Sequence, residues 1–149
     1  MASALVAQEF FSRIRRDVFA LTGVGPAVAA GGYLDMSQYG NFAITVIDSV
    51  LSGSGLAQIE IVAAVDAAGT NAQQITTKTL TPSAPVITDF ATLEIIADQI
   101  REVATASGFN LRFVAARVTL NAAGDKVIVV CDRWRAKFPQ QNLTADVIH

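Results

Sequence analysis

Two periodicities divide this chain. Over residues 3–18, "SALVAQEFFSRIRRDV", apolar positions recur at helical spacing. At 3.6 residues per turn Val6, Phe10, Phe11, Ile14 and Val18 share one broad face, while Gln8, Glu9, Arg13, Arg15 and Arg16 share the other. Ser3 is placed to cap such a helix, and Glu9 and Arg13 stand one turn apart as an ion pair. Only Asp17 falls awkwardly near the apolar edge. The Gly-rich stretch from Gly23 to Gly32 then reads as a connector.

From Tyr33 onward the period is two. "NFAITVIDSVL" sets Phe42, Ile44 and Val46 on one face; "AQIEIVAAV" points Ile59, Ile61, Ala63 and Val65 inward and Gln58 and Glu60 outward. The "SGSG" between them predicts a hairpin-type connection. After "DAAGTNAQ", residues Gln74 to Leu80 predict a polar, Thr-rich edge strand, and the prolines of "TPSAP" predict a loop. "TLEIIAD" is a strand with Leu93, Ile95 and Ala97 on one side, and "QIREVATASG" a short helix stopped at Gly108. "FNLRFVAARVTL" and "DKVIVVCDRW" form the last long pair, joined by "NAAGD", with Gly124 in the left-handed position of a hairpin loop. In the first of these the apolar parity switches between Phe113 and Val114, which predicts a bulge or bend there.

Seven or eight short strands with turn signals between them define a mainly β chain, a β-sandwich or jelly roll carrying an N-terminal amphipathic helix arm. The division is an arm and connector over 1–32, a sandwich over 33–139 and a C-terminal tail over 140–149. At 149 residues the sandwich is large enough to hold a core without disulfide or metal.

Composition changes this picture in one respect. Apolar residues make up 52% of the chain and charged residues only 16%, against about 25% in ordinary soluble domains. A surface so poor in charge is expected to be covered in part by other chains. The net charge of −2 gives no electrostatic footprint for nucleic acid or for an anionic membrane. The uncharged run Val18–Leu34 is 17 residues long and holds four glycines and a proline, so it is no spanning helix. It imitates a secretory signal, but Glu9 and Asp17 occupy the would-be basic region and Gly23, Gly25 and Pro26 break the apolar run.

Candidate chemistry is sparse. The single cysteine, Cys131, ends an apolar strand, and the single histidine, His149, is the last residue, so the pair reads as a buried small hydrophobe and a surface residue in place of a nucleophile and its base. No metal-ligand spacing and no phosphate-loop Lys-Ser/Thr is present, so neither metal nor cofactor is expected. In "DRWR", Arg133 and Arg135 face one side of a strand and Trp134 the other. These residue types are enriched at interface hot spots, while the alternative is a strand end in which Trp134 completes the core and Asp132 pairs with an arginine. Arg13 and Arg16, with Arg15, would meet an acidic partner or simply face water.

The succession "YLDMSQYGNFAITVID", "AQIEIVAAVDAAGTNAQQI", "TLEIIADQI", "SGFNLRFVAARVTL" and "VIVVCDRWRAKFP" resembles small virion structural proteins of tailed bacteriophages, the β-sandwich head proteins. The resemblance spans about residues 33–139 and leaves the N-terminal segment outside it. It implies a non-enzymatic part made in the bacterial host cytoplasm and built into the virion: a capsid decoration (cement) protein bound to the major capsid protein across subunit junctions, with a trimer the favoured homo-oligomer. A neck, connector or tail ring is the alternative in the same class. A soluble β-sandwich ligand-binding module is the alternative in another. The expected interface residues are Val6, Phe10, Phe11, Arg13, Ile14, Arg16, Val18, Arg133, Trp134 and Arg135.

Overall fold

The computed structural model describes residues 14–28, 32–50, 56–79 and 90–136. Among them the chain runs through β1 (Arg15–Thr22), β2 (Gly25–Val28), β3 (Leu34–Asp35), β4 (Tyr39–Val50), β5 (Leu56–Ala64), β6 (Gln73–Thr79), β7 (Phe90–Ile96), α1 (Ala97–Ser107), β8 (Phe113–Leu120) and β9 (Lys126–Ala136). Two antiparallel sheets result, one in the order β1-β9-β4-β7 and the other β2-β8-β5-β6, with the short β3 also paired to β8. The chain is mainly β and folds as a sandwich, as its period-two pattern requires.

The pairing is nested. β1 pairs with β9, β2 with β8, β4 with β7 and β5 with β6. Of the described strands only β5 and β6 are both consecutive and hydrogen-bonded to each other. Two expected hairpins are therefore corrected: β4 and β5 lie in different sheets, and so do β8 and β9. The inward positions of these four strands are mostly apolar, and placing successive strands in facing sheets buries those positions against one another. The turn before β9 is closed by Asp125, whose carboxylate accepts from Ala122 N–H at 3.1 Å and whose own N–H donates to the Ala122 carbonyl at 3.1 Å. Gly124 does not take the left-handed backbone expected of it; in the β5–β6 loop Gly69 (φ 87°) and Asn71 (φ 52°) do.

The helix expected over residues 3–18 is corrected where it can be seen. Residues 15–18 belong to β1, which pairs in unbroken register with β9 from Arg15↔Arg133 to Thr22↔Lys126. The sequence from Arg15 also carries a period of two: Asp17, Phe19 and Leu21 turn inward, and Arg16, Val18, Ala20 and Thr22 outward. Helix propensities differ by only tenths of a kcal/mol per residue. A full ladder along β9 with Leu21 buried outweighs that difference. Val6, Phe10, Phe11 and Arg13 lie outside the described residues. The expected connector also contains a strand, β2, which pairs with β8 from Gly25↔Leu120 to Val28↔Arg117.

The core lies between the sheets. Phe42, Ile44 and Val46 of β4 and Val127, Val129 and Cys131 of β9 face Ile59, Ile61 and Ala63 of β5 and Val114, Ala116 and Val118 of β8, all at 0–1% exposure. Each such aliphatic or aromatic side chain contributes about 1.5–3 kcal/mol on leaving water. α1 forms where its pattern predicts it, buries Ala97 and Ile100, and ends at Gly108, which is left-handed (φ 75°) and donates its N–H to the Ala104 carbonyl at 2.9 Å. At the other end Gln99 Oε1 accepts from the Ile96 N–H at 3.0 Å. The parity switch near Phe113 is real, but it falls at the entry to β8: Leu111 is a core residue of the preceding loop, and Val114 is the first inward residue of the strand. No described helix is long and apolar enough to cross a membrane.

Candidate interaction surface

In β9 the apolar run Val127–Val130 does not alternate with polar residues, and strand geometry sends every second member away from the core. Ile128 and Val130 therefore stand on the outer face of the β1-β9-β4-β7 sheet. Register places Val18 beside Val130, and Ala20 beside Ile128, which in turn stands beside Ile47. Val18 is 57% exposed, Ile128 38% and Ile47 37%. Together they make an apolar patch across three adjacent strands. Thr45 and Thr92 flank it on the β7 side, their hydroxyls 3.2 Å apart.

One border of the patch is an ion pair. Arg16 grips Asp132 with two bonds, Nε to Oδ1 at 2.7 Å and Nη2 to Oδ2 at 2.9 Å. The Asp132 carboxylate raises the Arg16 guanidinium above its ordinary pKa, chiefly through this hydrogen bond. The expected pairing of Asp132 with an arginine is thus met by an arginine from the other end of the chain. Trp134 follows on the same outer face, half-buried beside Asn41. It does not complete the core.

Arg133 points the opposite way, which removes it from the expected interface. It is 5% exposed, donates from Nη2 to Asp17 Oδ2 at 2.7 Å and from Nη1 to the Asp35 carbonyl at 2.9 Å, and lies 5.1 Å over the Tyr39 ring. Asp17, awkward on a helix, is its counter-ion on the neighbouring strand. Asp35 in turn takes two bonds from Arg112, at 2.9 and 2.7 Å, and one from the Ser37 N–H at 2.8 Å. The Arg112 bond is the main reason its carboxyl sits well below the usual carboxylate range. These four charged groups tie the two sheets together at one end. Arg135 lies two residues further along β9, and its side chain lies outside the described set. Ile14 precedes β1 and is half-buried.

The remaining candidates for chemistry are committed to structure. Burial pushes the Cys131 thiol up to about 12, so it holds its proton and packs as a small apolar group. Arg117 is bound to Glu60 at 2.6 and 3.0 Å, and Glu60, expected outside, is only 5% exposed, on a face of β5 where Val62 and Ala64 are buried as well. Asp66 Oδ1 accepts from the Ala68 and Thr70 N–H groups at 3.0 Å each, closing the loop before β6. His149 lies outside the described residues. Among the described residues no group of three His, Cys, Asp or Glu side chains is placed to hold a metal ion.

Ala20, Ile47, Ile128 and Val130 were not among the residues singled out from the sequence. Their signal was the missing alternation of "VIVV" and "ITVI", which leaves apolar residues on both faces of a strand.

No family model matches the chain, and no curated protein is significantly similar to it. Among solved structures it is similar to the SPBc2 prophage-derived protein YomS (TM-score 0.42, 10% identity, 80% of this chain and 94% of that one). It is also similar to a Bacillus endospore appendage pilus protein (TM-score 0.43, 16% identity, 82% and 88%). A third likeness is to a chain of the T13 IBDV viral particle (TM-score 0.39, 9% identity, 83% and 31%).

Proposed function

We propose that this chain is a non-enzymatic structural subunit of a bacteriophage virion, a decoration protein that binds across junctions of the capsid shell. The observation that carries the reading is the apolar patch of Val18, Ala20, Ile47, Ile128 and Val130 on the outside of a sheet whose inside is already a core. A contiguous apolar patch on a soluble domain marks a surface that another molecule covers. Covering it stabilises an assembly by about 25 cal/mol per Å² buried, before the costs of association. The nested strand pairing is that of a jelly roll, an architecture used in viral capsids and also in lectins, so it supports a shell component without specifying one. The expected partners are the major capsid protein and further copies of this chain.

The test is the composition of particles purified from the phage that encodes it. Quantitative mass spectrometry with immunogold labelling is expected to find the chain in high copy number over the head. Label confined to the neck or tail, in a few ring-forming copies, would move the protein to a connector role. Its absence from particles would overturn the virion reading and return attention to a soluble ligand-binding module.

A further inference from the structure

A sheet edge presents unpaired N–H and C=O groups, and natural proteins blunt such edges with lysine, proline, bulges or shortness. Three of the edges here are blunted. β6 is polar, carries Lys78 and is bulged against β5 between Ile61 and Val62. β2 is four residues long and includes Pro26, and β3 has two residues. β7 carries Glu94 and runs directly into α1. The fourth edge, β1, has no lysine, proline or bulge, and its charges, Arg15, Arg16 and Asp17, stand only in its first three residues. It is eight residues in unbroken register, its centre reads Val18-Phe19-Ala20-Leu21, and among the described residues β9 is its only strand partner. Those charges are engaged within the protomer: Arg16 is held by Asp132 and Asp17 by Arg133, both on β9, and Arg15 lies 3.9 Å from Asp17.

We infer that the edge of β1 that no described strand covers pairs antiparallel with β1 of a second copy of this chain, about a two-fold axis at Phe19. Strand chemistry selects the register. A shift by one residue would turn the partner's sheet over, setting outward side chains opposite inward ones and separating the two outer patches. Axes at Arg16 or Asp17 would oppose like charges. An axis at Val18 would set two charges against apolar residues of the inward face, Arg15 against the partner's Leu21 and Asp17 against the partner's Phe19, and an axis at Ala20 would pair only residues 18–22 within the strand. With the axis at Phe19 residues 16–22 all pair: Val18 faces the partner's Ala20, Arg16 faces the partner's Thr22, which is polar, Asp17 faces the partner's Leu21, and no like charges meet. The four-stranded sheet then continues as eight strands across the axis, and the two outer patches fuse into one apolar surface. This pairing stands on the edge itself and requires nothing of the virion. It makes the unit of assembly a dimer, in place of the trimer favoured from the sequence.

Light scattering of the full-length protein over a range of concentrations tests it, with two variants that change only outward, exposed positions of β1. The unaltered chain is expected at twice the monomer mass. Val18→Lys with Ala20→Lys sets lysine against lysine twice and should shift dissociation about tenfold or more to higher concentration. Val18→Lys with Ala20→Glu sets lysine against glutamate twice and should restore the dimer. Unchanged circular dichroism and thermal unfolding of the dissociated variant show that β1 still pairs with β9. A monomer, a trimer or a larger ring for the unaltered chain overturns the inference, as does a dimer indifferent to the double-lysine variant. A monomer still found in particles overturns the β1 pairing alone. A β1 dimer absent from particles supports the pairing and overturns the virion reading alone.

Discussion

Arg133 stands next to the only tryptophan in the chain, on a strand, and yet points into the sandwich. A buried guanidinium persists only where its charge is answered, and Asp17, the Asp35 carbonyl and the Tyr39 ring answer it from three other strands. Arg133→Met should therefore lower stability by about 1–3 kcal/mol in urea unfolding, since it leaves the partly buried Asp17 with only the longer 3.9 Å contact to the exposed Arg15. Converting Asp17 to Asn in the same chain should recover part of the loss. The neighbouring Asp35 gives a pH dependence of known sign. Its carboxyl is depressed in the folded state, so it contributes in full above the ordinary carboxylate range, near pH 4, and this contribution fades as pH falls toward its folded value. The urea midpoint should fall between about pH 5 and pH 2 more steeply for the natural chain than for Asp35→Asn. The difference should be about 1 kcal/mol or less, because the Asp35 side chain is 38% exposed. Cys131, protonated up to about pH 12, should resist a thiol reagent at pH 8 in the folded protein and react at once after unfolding.

Elements here are decided by competition between a local pattern and a distant partner. Residues 15–18 satisfy a helical face with Ile14 and a strand face with Phe19 and Leu21, and the strand wins because β9 offers a complete ladder. That ladder joins Arg16 to Asp132, 116 positions away, so nothing near Arg16 in the sequence announces it. The hairpin expectations failed for a related reason. Gly and Ser chemistry fixes that the chain turns, but whether the next strand stays in the same sheet depends on which apolar faces must meet. Where the turn chemistry acts locally it was legible: Gly108 ends α1 as its spacing implies. Gly69 is a sharper case, with φ 87° and the Tyr33 ring packed where its Cβ would be. Gly69→Ala should cost about 1–3 kcal/mol in thermal or urea unfolding, and Tyr33→Ala in the same chain should relieve the steric part and leave the backbone part.

For the molecule as a whole, the nested pairing makes the N-terminal strand a structural member, since β1 covers β9 and supplies Asp17 and Arg16 to its two ion pairs. A chain lacking residues 1–22 should unfold at far lower urea concentration, and less cooperatively, than one lacking residues 1–13 only; the arm cannot be trimmed past Arg15 without opening the sheet. The same nesting turns an ordinary-looking apolar run into a surface. Read along the sequence, "VIVV" predicts a buried strand, and half of it is buried. The other half becomes visible as a patch only when β1 and β4 place Val18, Ala20 and Ile47 beside it.

By itself the sequence determined the class of fold, the inward residues of β4, β5 and β8, the helix ending at Gly108, and the inertness of Cys131, because each follows from side-chain alternation or turn chemistry within a few residues. Tertiary structure alone decided which strands share a sheet, which way Arg133 faces, that residues 15–18 are strand, and that three strands assemble an apolar outer face. Most of these depend on partners about forty to a hundred and twenty positions apart, where pairing is selected by the fit of whole faces and by the matching of buried charges, and neither quantity is defined until the sheets have closed on one another.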